Sequence, residues 1–353
     1  MATTTHGMVC AHHHLYSALA RGMPAPPATP HDFISVLRQV WWRLDDALDL
    51  DIIYWSAALG AAEALMCGTT AIIDHHESPS AIEGSLDVIR DACEMVGMRS
   101  NLSYGVTDRW NEGRISDSVD PASRMTEGAR RGLAENERFL RGGGRGMVGV
   151  HAAFTCSDDT LRTASDLAED LGVGVHIHVA EGPDDAGAGA RLEPLARDNW
   201  LLVHCVLLDR PLRGIVAHNP RSNMNNSVGY AAPASHPNTI VLGTDGIGAD
   251  MQEEARLAYV RLRESDILQT PDTPWQWLTN GEMLFPEVAT DTVEWNYDHM
   301  ESPWHTAFSP GLRPVNVDVA GHRVISDGQP TGFDLQEIRA KAAEAAARLH
   351  SRL

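Results

Sequence analysis

The sequence predicts an α/β protein: a parallel (β/α)8 barrel, followed by two short strand-like pieces and a C-terminal helix. Two observations predict it. Eight short apolar runs recur along the 353 residues, with helix-like stretches between most of them. The histidines and carboxylates able to do chemistry fall where those runs end, which is where such a barrel places its active site.

The expected strands, in order, are GMVCAHH (7–13), TTAIIDH (69–75), RSNLSYGV (99–106), GMVGVHAAF (146–154), VGVHIHVA (173–180), WLLVHCV (200–206), GIVAHNP (214–220) and TIVLGTDG (239–246). Between them, SVLRQVWWRLDDAL, YWSAALGAAEALMCG, SLDVIRDACEMVG, GARRGLAENERFLRGG and TLRTASDLAEDLG read as helices, several ending in glycine as helix C-termini do. Two places strain the pattern. Only Leu207 to Gly214 connects strands six and seven, shorter than the usual parallel crossover. The stretch from Gln269 to Pro314 reads as irregular, rich in Pro, Trp and Asp. After it come PVNVDVAG and HRVISDG as strands and LQEIRAKAAEAAARLHSRL as a helix. Residues 1–310 are expected to form the barrel and 311–353 the remainder.

Composition narrows the function classes. A hydrophobic content of 43% supports a large core, and a net charge of −20 repels phosphate backbones, so nucleic acid is excluded as a partner. Five scattered cysteines without CxxC spacing fit reduced thiols in a cytoplasm. No apolar run approaches a membrane span, and the first residues lack a signal peptide's basic and apolar regions. A cytoplasmic protein with no membrane partner is expected.

The triple histidine in CAHHHLYS decides the chemistry. Side chains two apart on a strand point the same way, so His12 and His14 can hold one metal while His13 faces elsewhere, outside the barrel or at its entrance. Strand five ends HIHVAE, with His178 at its tip, His176 one layer deeper as a spacer, and Glu181 three residues beyond His178. Strand six ends in His204 and strand eight in Asp245. His12, His14, His178 and Asp245 make three imidazoles and a carboxylate, a set suited to one divalent metal, zinc first with iron as the alternative. Alone, each is weak: HxH arises by chance, His204 by itself reads first as a packed core residue, and Asp245 could cap the helix that follows. Their coincidence at predicted strand tips favours a metal site. His75, His76 and His151 are candidates for lining a substrate pocket, as packed residues are at least as common there.

In these motifs the chain resembles the amidohydrolase superfamily, whose signature is HxH, then HxxE, His and Asp. CAHHHLYSALARGM, WWRLDDALD, GSLDVI, HNPRSNMNN and LGTDGIGADM are similar to the aminohydrolase and chlorohydrolase branch that includes guanine deaminase and triazine hydrolases, nearest to the SsnA-type aminohydrolases. The resemblance implies that His12, His14, His178 and Asp245 bind the catalytic metal, that Glu181 shuttles protons and that His204 polarises water or substrate. Asn223, in the loop after strand seven, then helps shape the pocket. It implies a hydrolase of C–N bonds other than peptide bonds. Such an enzyme attacks an sp2 carbon of an amino-substituted N-heterocycle and releases ammonia, with Asp245 accepting the water proton. The WWRLDD stretch supplies flat walls to that pocket or packs within helix one. The alternatives are a trimmed, catalytically weak metal-binding homologue, or an amide or chloro hydrolase on the same fold. The resemblance also implies a homodimer and a small-molecule substrate. It implies a β-sandwich flanking the barrel, of which PVNVDVAGHRVISDG is read as a truncated remnant, leaving apolar surface uncovered.

Overall fold

The computed structural model describes residues 3–111, 114–116 and 118–353. All eight expected strands are present: β1 (Met8–His14), β2 (Thr69–His76), β3 (Arg99–Tyr104), β4 (Val148–Ala152), β5 (Val175–Val179), β6 (Leu201–His204), β7 (Ile215–His218) and β8, which runs as Ile240–Leu242 and resumes at Asp245–Gly246. Each pairs in parallel with the next from β1 to β3 and from β4 to β8. Parallel bridges Leu102↔Gly146 and Val106↔Val150 join β3 to β4. Asp245 and Gly246 pair with His13 and His14 and close the cylinder.

The break in β8 has a steric cause. A Cβ on Gly243 would lie 2.5 Å from Asn219 Oδ1 and 2.8 Å from His12 Cβ, so only glycine lets the strand pass from β7 to β1. Two residues on, Asp245 adopts a left-handed backbone with φ of +63°, a conformation non-glycine residues rarely hold without a functional reason.

The outer helices form where apolar residues recur every three or four positions. Helix Ser85–Val96 buries Leu86, Ile89, Cys93 and Val96 and ends at left-handed Gly97; helix Asp158–Leu171 buries Leu161, Ala164 and Ala168, is capped by Ser157 and ends at left-handed Gly172. Helix Glu127–Arg141 follows the same rule. The short link between β6 and β7 is a loop with no helix. It is held by Leu207 N–H donating to Ala180 O and by Asn238 Nδ2 donating to Leu212 O and Gly214 O.

Two expectations need correction. The stretch 269–314 is ordered: it forms helix Asp272–Thr279, strand β9 (Thr292–Trp295) and helix Pro303–Phe308. Prolines 286 and 303 sit in first turns, where a missing N–H removes no helical bond, so they start elements here. The second correction concerns the sandwich strands. β9, β10 (Pro314–Val319), β11 (His322–Ser326) and β12 (Gln329–Pro330) form one antiparallel sheet whose other edge is Thr4–Thr5. The sheet therefore draws on segments either side of residue 310 and is larger than a two-strand remnant. Its Trp295 is fully buried, donates from Nε1 to Thr5 Oγ1 at 2.9 Å and fills the space beside Gly68 at the foot of the barrel. Arg99 on β3 donates to the buried Asp291 at 2.8 Å, which also accepts from Ala320 N–H and so ties this sheet to the barrel.

The final helix, Leu335–His350, packs on helix Leu50–Leu65, and Arg352 reaches Asp49, the N-cap of that helix. Asp334 caps it by accepting from Gln336 and Glu337 N–H. Asp334→Ala is expected to lower the unfolding free energy by about 1 kcal/mol, the usual effect of losing an N-cap, read as a lower urea midpoint at unchanged slope. Among the described residues no helix is long and apolar enough to cross a membrane, and all five cysteines are free, four of them buried.

Candidate active site

The C-terminal ends of the barrel strands bring the predicted residues together. His12, His178, His204 and Asp245 offer ligand atoms within 4.8 Å of one another. His14 joins them, its Nε2 3.0 Å from Asp245 Oδ1, with His12 Nε2 at 3.1 Å and His204 Nε2 at 4.0 Å from the same oxygen. The structure therefore brings His204, expected as a polarising residue, into the same group as the expected ligands, though about 1 Å farther from Asp245 Oδ1 than His12 and His14.

Hydrogen bonds behind the rings fix their tautomers. His14 Nδ1 meets His75 O and His178 Nδ1 meets His151 O at 2.7 Å. A carbonyl oxygen only accepts, so both Nδ1 atoms carry the proton. His204 Nδ1 donates to Asn223 Oδ1 at 2.8 Å. For His12 the relay is longer. Ser103 Oγ donates to Asp74 O, so it accepts from His176 Nδ1; His176 Nε2 then accepts from His12 Nδ1 at 2.8 Å. Four imidazoles thus turn bare Nε2 lone pairs inward.

Three of the four charge states agree with this. Burial, followed by crowding from neighbouring histidines, pushes His12 well below the usual range and His178 down to about 3; burial also lowers His204. His14 departs from them: burial works to lower it, but the bond to Asp245 and the Asp245 charge outweigh burial and raise it. Burial works to raise Asp245, but the close approach of His12 and His14 to its Oδ1, with the charge that His14 can carry, more than offsets burial and holds the carboxyl well below the usual carboxylate range. The lone pairs of His12, His178 and His204 grouped around an ionised carboxylate are acceptors against an acceptor, an arrangement that a shared divalent cation satisfies. Imidazoles oriented from behind by carbonyl, amide and histidine partners are the usual support for such an ion.

Glu181 stands beside this group, its Oε2 3.4 Å from His204 Nε2 and its Oε1 3.5 Å from Asn226 Nδ2. Burial first, and then the Asp245 charge, raises its pKa well above the usual value, so the two carboxyl groups are pushed apart, one ionised and one holding its proton. The backbone is strained at these tips: Ala180, His204 and Cys205 have φ of +49°, +70° and +53°. Asp185 steadies the strand-five turn by accepting from Ala180 and Phe154 N–H.

The cluster opens into a cavity lined by aromatic and carboxyl side chains. Of the four residues assigned to its lining, only His151 lines it. His75 is fully buried, hydrogen-bonded to Val150 O and packed ring to ring with His178; His76 bonds Ser78 Oγ and packs on Tyr16 and Tyr104. Asn223 sits behind His204, and Asn226 lines the cavity in its place. His13 is buried inside the wall, bonded to Thr244 Oγ1 at 2.7 Å, and does not face the exterior. Asn223→Ala is expected to lower kcat/KM by about 10–100-fold, as loss of such outer partners does, with unchanged secondary structure by circular dichroism as the control.

Sequence reasoning found part of the opposite wall, the WWRLDD stretch, and missed Tyr16, Phe33, Phe154 and Glu77. Tyr16, Trp41, Trp42, Phe33 and Phe154 give it aromatic faces, and Asp45 and Glu77 give it carboxylates. Trp41, Trp42 and Asp45 come from the WWRLDD stretch, which does supply walls. It does so from a helix whose Leu37–Trp41 segment is a π-turn, a feature no apolar period announces. Glu77 lies directly beyond β2, and the same strand-tip rule that found His178 would have flagged it.

A sequence profile of the amidohydrolase family matches residues 4–271. A 5'-deoxyadenosine deaminase of Methanococcus vannielii is 30% identical, over 96% of this chain and 86% of that protein. A 5-methylthioadenosine/S-adenosylhomocysteine deaminase of Syntrophomonas wolfei is 27% identical, over 97% and 86%. Among solved structures, a zinc-bound adenosine deaminase from Xanthomonas campestris superposes with a TM-score of 0.80 at 20% identity, covering 99% of this chain and 86% of that one.

Proposed function

The chain belongs to the amidohydrolase family, and from that premise we propose that it is a metal-dependent aminohydrolase that replaces the amino group of an N-heterocycle, of the aminopurine class, with oxygen and releases ammonia. One observation carries the reading: the inward Nε2 atoms of His12, His14, His178 and His204 converge on ionised Asp245 at the mouth of an aromatic-lined cavity. The names of the relatives support the substrate class, because both act on adenosine derivatives.

In this reading His12, His14, His178 and Asp245 hold one divalent ion, zinc first and iron as the alternative. When bound, that ion makes water nucleophilic near neutral pH. Asp245 takes the proton from the attacking water. Glu181 gives its proton to the ring nitrogen next to the reacting carbon, which accepts the electron pair displaced by attack. His204, whose Nε2 is an inward acceptor, takes a hydrogen bond from the attacking water and orients it. The proton held by Asp245 then passes to the amino group, the C–N bond breaks and ammonia leaves with its electron pair, and the remaining hydroxyl proton returns to Glu181, so the carbonyl forms and both carboxyl groups regain their starting states.

The test is release of ammonia by purified, metal-loaded protein from 5'-deoxyadenosine, 5'-methylthioadenosine and S-adenosylhomocysteine, run beside pyrimidines, pterins and triazines. Turnover confined to triazines or pterins would overturn the aminopurine assignment. No ammonia from any of them would overturn the aminohydrolase.

A further inference from the structure

We propose that Ser103, a fully buried serine outside the cavity lining, is a positioning residue of the metal centre: acting through His176, it decides which nitrogen of His12 carries the proton. The inference rests on the aminohydrolase reading for the ion, and on the histidine protons alone for its decisive test.

The need arises at His12. A ring nitrogen facing a metal must be bare, so the proton must sit on the other nitrogen. For His14 and His178 a backbone carbonyl settles this directly, because it can only accept. The Nδ1 of His12 instead lies 2.8 Å from His176 Nε2, and an imidazole nitrogen donates or accepts according to its own tautomer. That bond therefore forms in either sense. One sense leaves His12 Nε2 bare. The other puts an N–H on it, aimed at Asp245 Oδ1, 3.1 Å away, and closes that position to a cation. Asp245 favours the second sense, because it is held ionised and a bond to a carboxylate is stronger than a neutral one.

The opposing group stands at the far side of His176. Its Nδ1 lies 3.1 Å from Ser103 Oγ, which donates to Asp74 O at 2.9 Å. A hydroxyl has one hydrogen. Spent on the carbonyl, it leaves Oγ to accept from His176 Nδ1, so His176 Nε2 accepts from His12 and His12 Nε2 stays bare. Turned to His176, the same hydrogen reverses every bond in the chain. His12, His176, Ser103 and Asp74 are all 0% exposed, so bulk water does not reach the chain to replace a partner.

The placement of these residues agrees. Ser103 and His176 stand on β3 and β5, which share interior layers with β1 in a barrel of this kind. Branched apolar residues dominate such layers. A serine and a histidine there are costly unless paired, and the bonds above use the Ser103 hydroxyl and both His176 nitrogens. Asp74 serves twice: its carbonyl ends the chain, and its Oδ1 accepts from Leu15 N–H at 2.6 Å, next to His14. One residue near the tip of β2 thus backs both histidines of the HxH pair. His176, expected as a spacer, is the link between that residue's carbonyl and His12.

Metal-free protein carrying isotope-labelled histidine tests this at neutral pH by long-range proton–nitrogen correlation, with His12 identified by the signal lost in His12→Gln. Burial lowers both His12 and His176 well below the usual range, so each ring holds one proton to locate. Both are expected to carry it on Nδ1. Ser103→Ala should move the His12 proton to Nε2, towards Asp245, and Ser103→Thr, which keeps the hydroxyl, should hold it on Nδ1. Zinc affinity, read by competition with a chelator, should fall about 10–100-fold in Ser103→Ala, as it does on losing an outer partner, and stay near native in Ser103→Thr. A native His12 with its proton on Nε2 overturns the proposal. So does a proton that stays on Nδ1 in Ser103→Ala, because any loss of zinc would then come from packing. A proton that moves while zinc affinity holds overturns the positioning role. Should Ser103→Ala fail to fold, Ser103→Cys, whose thiol is a weak hydrogen-bonding group, takes its place. A protein that binds zinc and shows the relay but releases no ammonia loses the aminohydrolase reading and keeps this one; a native protein that binds no zinc overturns both.

Discussion

Glu181→Gln lowers kcat by about 10²–10⁴-fold, the range in which general acid–base groups act, and leaves the metal content at one ion per chain. The geometry separates these two outcomes. Glu181 lies against His204 Nε2 at 3.4 Å and is steadied by Asn226, while the nearest approaches to Asp245 Oδ1 belong to His14 and His12. Glutamine keeps the length and polarity of the side chain but has no proton to pass to a ring nitrogen. Elemental analysis beside steady-state kinetics checks the pair of expectations. A metal-free variant would make Glu181 a ligand. A metal-loaded variant within tenfold of the native rate would move the proton shuttle elsewhere, and Asp184, which also lines the cavity, is the carboxylate to try next.

The parts of this site legible in the sequence are those that depend on period two and on strand ends. His12 and His14 share a face because they are two apart on β1, and His178, His204 and Asp245 are strand-tip residues by position alone. What period cannot show is depth. His75 and His76 sit at the tip of β2 as plausibly as His178 does on β5, yet cross-barrel packing buries both. The missed carboxylates differ in kind: Asp45 sits on a helix distorted by a π-turn, where no apolar period marks it, whereas Glu77 stands just beyond the tip of β2, where the strand-end rule reaches. The same limit explains the small sheet. Thr4–Thr5 is two residues long and gains its place only by pairing with Thr292–Trp295, 288 positions away by the register Thr5↔Val293. Proline-rich sequence around 286 and 303 looked structureless because proline was read as a breaker, when its position in a first turn makes it a starter.

The strained tips follow from the demand the site makes. His204 and Asp245 hold left-handed backbones, at a cost of order 1–3 kcal/mol each. Support from behind keeps them there: Asn223 on His204, Ser222 on Asp245 Oδ2, and the Thr244 N–H donating to His12 O. Helix Pro220–Asn225 carries both side chains, which is why the HNPRSNMNN stretch matters while only Asn226, just past the helix, lines the cavity.

His178→Ala and Asp245→Ala are expected to lose the metal and almost all turnover. Asp245 is the one carboxylate on which the imidazole lone pairs converge, and its second oxygen is already taken by Ser222, so no other acceptor can replace Oδ1. His178 is locked by His151 O with Nε2 inward, and its ring stacks on His204 at 5.6 Å between centres. Its removal opens one side of the cluster. Metal content should fall from about one ion per chain, as one-metal catalytic sites hold, to a small fraction. Turnover should fall by more than the roughly 10–100-fold typical of losing an outer partner. His204→Gln distinguishes the two ways of reading the four-imidazole group. If His204 only polarises, the variant keeps the ion and loses rate; if it ligates, the ion is lost as well. Metal-dependent stabilisation gives a readout independent of activity, because an ion bound to the folded state alone raises the unfolding temperature by mass action. Adding zinc to chelator-treated native protein should raise it, and the same addition to Asp245→Ala should not. Full metal retention in both alanine variants would show that the ion, if bound, is held by other residues.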